Sequence, residues 1–254
     1  MDTAFLGVFS LAFLSSSYAL TDIGLHHVSL HRNAENYMYD KHYREQFQPR
    51  IERTCASRRG CSRGILNPRD SCAYIIPRVE WRARDTRHAN YIANPVSIVF
   101  IHHTVMERCD SHSQCMQAMH KVQEFHMDVK GWDDIGYSFV VGEDGRAYEA
   151  RGYDRVGAHT LDWNNVSISI AVMGNFTEYL PNGPALEAIN NVIECGIQLG
   201  KVMPDYKLYG HCDARPMFES PGKMLYPLIK TWPHYEYRIP VEKLQLKDYL
   251  KTSA

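Results

Sequence analysis

Val96-Ser97-Ile98-Val99-Phe100-Ile101-His102-His103-Thr104-Val105 is the stretch that decides the fold. It is dense in β-branched residues and reads as a buried strand that ends in two histidines. Downstream, Ser113 to Val129 has helical spacing, with Met116, Met119, Val122 and Phe125 on one side. Tyr137 to Val141 and Ala147 to Ala150 flank Gly142-Glu143-Asp144-Gly145, a hairpin signal. Ser167 to Met173 reads as another buried strand, and Pro184 to Leu199 as a helix closed by Gly200. Tyr206 to Tyr209 reads as a short strand and Gly222 to Trp232 as a last helix. Strands and helices alternate, so the class is α/β: a single domain with a central mixed β-sheet flanked by helices.

The chain has 254 residues, enough for one well-buried domain plus extra segments. A formal net charge of -1 gives no overall field toward nucleic acid or an anionic membrane, so a charged ligand must be met by local groups. Phe5 to Leu14 is apolar but too short to span a bilayer, and Ser17-Tyr18-Ala19 offers a small-x-small cleavage site. Residues 1–19 therefore read as a signal peptide and the product as secreted, although Asp2 stands where a basic residue is usual. The competing reading, a buried N-terminal helix, leaves Ser15 to Ser17 unexplained. No later segment is long and apolar enough to cross a membrane. Residues 20–71, rich in Arg, His, Tyr and Asn, form a loosely ordered extension. Within it, Arg58-Arg59-Gly60 and Ser62-Arg63-Gly64 make either a basic patch or a solvated, disulfide-tied loop. Residues 72–240 form the domain and 241–254 a C-terminal tail.

Seven cysteines in an exported chain are expected to be mostly oxidised. Cys55/Cys61 and Cys109/Cys115 share one spacing that suits small local loops. Cys72 and Cys195 then remain for a long-range bridge, and Cys212 is left over. Two glycosylation sequons occur, Asn165-Val166-Ser167 and Asn175-Phe176-Thr177, and both flank the strand read at Ser167 to Met173.

His102 and His103 end one strand, His211 ends another after Gly210, and His159 lies in a Gly-Ala-His loop. α/β sheets place their sites at strand ends. Two imidazoles from neighbouring strands can share a zinc ion, and a catalytic zinc takes three protein ligands and one open position.

The chain resembles the peptidoglycan recognition protein family, relatives of the zinc-dependent type 2 N-acetylmuramoyl-L-alanine amidases, and looks like a short, secreted, invertebrate-like member. The resemblance rests on Ile101-His102-His103-Thr104, Gly131-Trp132-Asp133-Asp134-Ile135-Gly136-Tyr137-Ser138-Phe139, Gly157-Ala158-His159 and Gly174-Asn175-Phe176. Gly210-His211, Pro221-Gly222 and Thr231-Trp232-Pro233-His234 continue it in the same order. Active members cut the amide between the lactyl group of muramic acid and the first alanine of the stem peptide. The resemblance implies that His102 and His211 are two zinc ligands and that Tyr137 orients a zinc-bound water. The third ligand is a Cys just before Pro-Gly, and Ser220 stands there. A neutral hydroxyl is a poor zinc ligand. Phe218 occupies the place of an oxyanion-supporting Thr or Lys. A shifted register makes Glu219 the alternative ligand, with Met217 at the support position, and Cys212 is a further candidate. Zinc is thus expected to be weakly held or absent.

The same resemblance places His103, Thr104, His126, Tyr137, His159 and Asn164 in a groove for the muramyl sugar and stem peptide. Packing in the core is the competing role for His126. Gly131 and Trp132 resemble the pair in members that prefer meso-diaminopimelate-type peptidoglycan, and Arg151 the residue that pairs with the extra carboxylate. Tyr153 and Ala150 depart from the usual Trp and Gly. Cys109–Cys115 matches the family's small bridge, and Cys72–Cys195 one found in some members. Two functions are in competition. One is a secreted innate-immune pattern recognition protein that binds peptidoglycan or muropeptides and passes the signal to host immune proteins. The other is a zinc amidase with an unusual third ligand. In a third reading, the basic N-terminal segment binds host partners as a scaffold.

Overall fold

Strand β2 (Val96–His103) is hydrogen-bonded on both sides by parallel neighbours, β5 (Ser167–Val172) and β6 (Val202–Gly210), in the computed structural model. The structure describes residues 71–237 and Ile239. The expectations for 1–19, 20–70 and 241–254, with Cys55 and Cys61, fall outside those residues. The remaining elements are β1 (Ile75–Ile76), α1 (His112–Glu124), a π-helical turn at Phe125–Val129, β3 (Phe139–Val141), β4 (Ala147–Glu149), α2 (Gly183–Gln198), α3 (His211–Ala214) and α4 (Leu225–Ile229). The six strands lie in the order β1-β4-β3-β5-β2-β6. Among the described strands β3 and β4 pair antiparallel and the other pairs are parallel, so the sheet is mixed, as the alternation of elements predicted.

Side chains alternate along β2, and the alternation sorts its residues between two faces. Val99 and Ile101 join the core under α2 with Ile170, Ile189 and Val192. Phe100 packs with Trp163 and Tyr209 on the opposite face. α1 covers the sheet through Met119 and Val122, which meet Trp81, Val140 and Tyr148. α2 starts where the Asn182 side chain accepts the Ala185 N–H, and the chain leaves it through Gly200 at φ +65°.

Three elements differ most from the sequence reading. β6 begins at Val202, well before Tyr206. The last helix covers only Leu225–Ile229, since Gly222 at φ +108° lies outside helical geometry. The helix read to Val129 widens at Phe125, where the Lys130 N–H reaches back five residues to the Phe125 carbonyl. That extra residue turns Phe125 outward to 38% exposure and buries His126 and Met127 in its place.

Cys72–Cys195 ties the chain ahead of β1 to α2 across 123 residues. Cys109–Cys115 closes the loop that leads into α1. Among the described residues Cys212 is the free cysteine.

Candidate functional site

β2 and β6 run parallel, so their C-terminal ends reach the same sheet edge and bring His102, His103 and His211 together. The turn that presents His211 is fastened by Asp213, whose carboxylate accepts the Gly210 N–H at 2.7 Å and the Tyr226 and Tyr235 hydroxyls. His102 follows Phe100's side of the strand, at 6.4 Å between rings, and stacks on His211 at 4.4 Å. His103 falls on the other side, where its Nδ1 accepts the Phe176 N–H at 3.3 Å.

The four histidines His102, His103, His159 and His211 line a cavity of about 740 Å³, together with Thr104, Tyr137, Asn164 and Ser220. Lys130, Trp132 and Arg215 add cationic and aromatic surface, and Val105, Leu161 and Phe218 an apolar rim. Asn164 acts through its carbonyl, which accepts the N–H groups of His159 and Thr160, each at 2.9 Å. That pair of bonds sets the loop that aims His159. The buried Thr160 hydroxyl then joins His159 Nδ1 at 3.0 Å to His102 Nε2 at 3.3 Å. Gly157 has to be glycine, since a Cβ there would lie 2.2 Å from the His159 ring.

Burial keeps these rings neutral. Desolvation pulls His103 and His211 down to about 4 and His159 to about 3, and lowers His102 well below the ordinary value. Because the Phe176 N–H can only donate, His103 Nδ1 is the acceptor and its Nε2 carries the proton. Burial also pushes the Tyr137 hydroxyl up to about 12, so it stays protonated. Among the described residues, His159 Nε2 is the buried polar atom of a cavity-lining residue that lacks a hydrogen bond of normal geometry, and the Ser167 backbone is the polar group that acts on this ring.

The metal position is short of donors. Ser220 lines the cavity, but its Oγ accepts the His103 backbone N–H at 3.2 Å. Glu219 reaches the cavity with 60% of its side chain exposed, and its carboxylate is 3.3 Å from Lys223. The Cys212 thiol is raised to about 11 by burial and by Asp213, and Cys212 does not line the cavity. Among the described residues no group of three His, Cys, Asp or Glu could hold a metal ion. His102 and His211 lie together without a third His, Cys, Asp or Glu beside them, so the described residues do not fit a catalytic zinc, which takes three protein ligands.

His126 stands outside the cavity lining. Its ring packs against Trp132 at 4.7 Å and Tyr137 at 5.5 Å, and its Nδ1 accepts the Gly136 N–H at 3.1 Å. It supports two lining aromatics from behind. Gly131, Trp132 and Arg151 border a second cavity of about 300 Å³, which shares Trp132 and Ala158 with the first. Arg151 is buried, with Nε and Nη1 held by the Ile135 and Val156 carbonyls, each at 2.7 Å. Its Nη2 has no bond to another described residue.

Lys130, Thr160, Leu161 and Val105 escaped the sequence reading. Thr160 was signalled by its place after Gly-Ala-His, and Lys130 by its place before Gly131-Trp132. Val105 had no signal, because its φ of +57° is a property of the folded chain.

The sequence profile described as N-acetylmuramoyl-L-alanine amidase matches residues 92–223. Peptidoglycan recognition protein 1 of Mus musculus is 41% identical over 172 residues, 67% of this chain and 94% of that protein. The N-acetylmuramoyl-L-alanine amidase of Mus musculus is 41% identical over 168 residues, 65% of this chain and only 32% of that protein. The solved structure of Drosophila PGRP-LB is 38% identical with a TM-score of 0.63, covering 64% of this chain and 96% of its own. Peptidoglycan recognition protein-LE, solved with tracheal cytotoxin, a monomeric diaminopimelic acid-type peptidoglycan, is 39% identical with the same TM-score of 0.63, covering 65% and 96%. The chain belongs to the N-acetylmuramoyl-L-alanine amidase family and, within it, to the peptidoglycan recognition proteins.

Proposed function

We propose that the protein is a secreted recognition protein that binds peptidoglycan fragments of the diaminopimelate type without hydrolysing them. One observation supports this reading above the rest: the cavity is lined by His102, His103, His159 and His211, yet no group of three His, Cys, Asp or Glu among the described residues could hold a metal ion. The cavity offers His103 Nε2–H, the Tyr137 hydroxyl and the Asn164 amide to the polar groups of a glycopeptide. Lys130 and Arg151 supply positive charge for its carboxylates, and Arg151 Nη2 is the donor left for the extra carboxylate of diaminopimelate. The complex of the LE relative with tracheal cytotoxin supports the same ligand class.

Secretion is inferred from residues 1–19, and no helix among the described residues is long and apolar enough to cross a membrane. Such a recognition protein would pass the signal to host immune proteins, and the basic sequence within residues 20–71 is a candidate for that contact.

The test is zinc content and muropeptide cleavage on the purified secreted protein, with and without added zinc, alongside binding of a disaccharide tetrapeptide. Binding with no release of free stem peptide is expected. Near-stoichiometric zinc with release of stem peptide would overturn the reading and make the protein an amidase with a substituted ligand set.

A further inference from the structure

Asn175-Phe176-Thr177 is a sequon that ligand binding leaves unused. We propose that Asn175 is an N-glycosylation acceptor and that its glycan stands at the mouth of the ligand cavity, admitting soluble muropeptides while hindering polymeric peptidoglycan. The proposal rests on the secretion and the ligand class inferred above.

Met173 and Gly174 separate the sequon from β5, and its three residues are divided between surface and core. Phe176 is fully buried and anchors the segment, whereas Asn175 is exposed. The Thr177 hydroxyl donates to Asn175 Oδ1 at 2.7 Å, and the Thr177 N–H approaches the same oxygen at 3.3 Å. These bonds hold the carboxamide by its oxygen and leave Nδ2, the atom that takes the sugar, without a bond to another described residue. Asn175 and Thr177 both line the cavity. The other sequon is placed differently. Asn165 is exposed but does not line the cavity, and Ser167 is buried at the start of β5, its hydroxyl donating to the Trp163 carbonyl at 2.7 Å.

The modification is a group transfer from a polyprenyl-diphosphate-linked oligosaccharide, the co-reactant of the secretory route. Asn175 Nδ2 attacks the anomeric carbon and a C–N bond forms. The C–O bond to the diphosphate breaks, the diphosphate leaves with its electron pair, and Nδ2 loses one proton. A glycan so attached crowds the approach of a rigid polymer more than that of a single soluble fragment.

The test uses the full chain secreted from insect cells. Peptide-N-glycosidase in heavy-oxygen water, followed by mass spectrometry, should mark Asn175 as converted to aspartate. An unmodified Asn175 in secreted protein, or failure of the chain to be secreted, overturns the proposal. An endoglycosidase that leaves one N-acetylglucosamine should then raise binding to insoluble peptidoglycan by about threefold or more and change the disaccharide tetrapeptide Kd less than about twofold. Equal polymer binding before and after trimming overturns the gating role. Loss of fragment binding in both forms removes the ligand reading and the gate together, while the mark at Asn175, read by mass alone, stands independently.

Discussion

Ser220 holds the strand end and lines the cavity at the position where the family resemblance expects a cysteine. Its Oγ is 3.2 Å from the His103 N–H, so the side chain at this position reaches the end of β2 from the segment before Pro221. Thiolate is a strong zinc ligand and serine hydroxyl a poor one. Ser220→Cys is therefore expected to raise zinc affinity at least about tenfold, or ~1.4 kcal/mol. Competition with a chromogenic chelator measures it, and unchanged affinity would remove the missing-ligand explanation. Phe218, stacked on His211 at 5.1 Å, cannot donate a hydrogen bond to an oxyanion. Ser220→Cys alone should thus bind zinc without approaching the turnover of a full amidase, and muropeptide digestion followed by chromatography checks this. At Arg151 the expected loss is selective. Arg151→Ala removes a charged donor whose hydrogen bond to a carboxylate contributes about 1.5–3 kcal/mol. Diaminopimelate fragments should therefore lose roughly tenfold to a hundredfold in Kd, and lysine-type fragments much less. Calorimetry on both ligands decides it, and equal losses would mean that Arg151 acts only through its bonds to the Ile135 and Val156 carbonyls.

Between α1 and β3 the chain places Asp134, fully buried, at a junction of several elements. Its carboxylate takes Gln123 Nε2 from α1 at 3.0 Å and the Ile135 N–H at 2.8 Å, and pairs with Arg78 at 3.0 Å and Arg155 at 3.6 Å. Asp134→Ala leaves two cations without their buried partner. It should destabilise the fold by about 3–5 kcal/mol in urea unfolding. A cost near zero would show that water replaces the carboxylate. None of this is legible in the sequence, where Asp133 and Asp134 look alike and only the folded chain distinguishes them. What the sequence does disclose is periodicity. The β-branched run at Val96 to Val105 gave β2, and the spacing of Met119 and Val122 gave the buried face of α1. The strand-end histidines gave the place of the site for the same reason, since alternation along β2 sends His102 and His103 to opposite sides. Phe125 broke the pattern because a π-turn inserts one residue into the helical period, which no apolar spacing announces. Ser220 stood out in the sequence by its place before Pro221-Gly222, but not as an acceptor for the His103 N–H, a contact across 117 positions of chain.

Acid stability belongs to the whole molecule, because the groups that set it come from β2, the π-turn, the Gly-Ala-His loop and the end of β6. His103, His126 and His211 are drawn to about 4 and His159 to about 3, each mainly by burial, and His102 shifts in the same direction. In the unfolded chain each returns to about 6.5. Between pH 6.5 and about 4 the unfolded state therefore binds more protons than the folded one, and stability must fall as the pH falls through that window. Each imidazole held neutral contributes up to ~1.4 kcal/mol per pH unit, so even a fraction of the five acting together outweighs any single surface ion pair. The depressed carboxylates Glu107 and Asp128 act with the same sign but at lower pH, below the ordinary carboxylate value, so the two windows separate. Urea unfolding at pH 7, 6 and 5 should give a steadily falling stability with net proton uptake on unfolding, and little change between pH 7 and 8. A diaminopimelate muropeptide that binds the folded state alone should add stability across that window by mass action, to an extent set by its concentration over Kd. A flat profile from pH 7 to 5 in the free protein would mean that these rings are hydrated in solution and titrate near the ordinary 6.5, so the groove's imidazoles would turn into cations as the pH falls below that value.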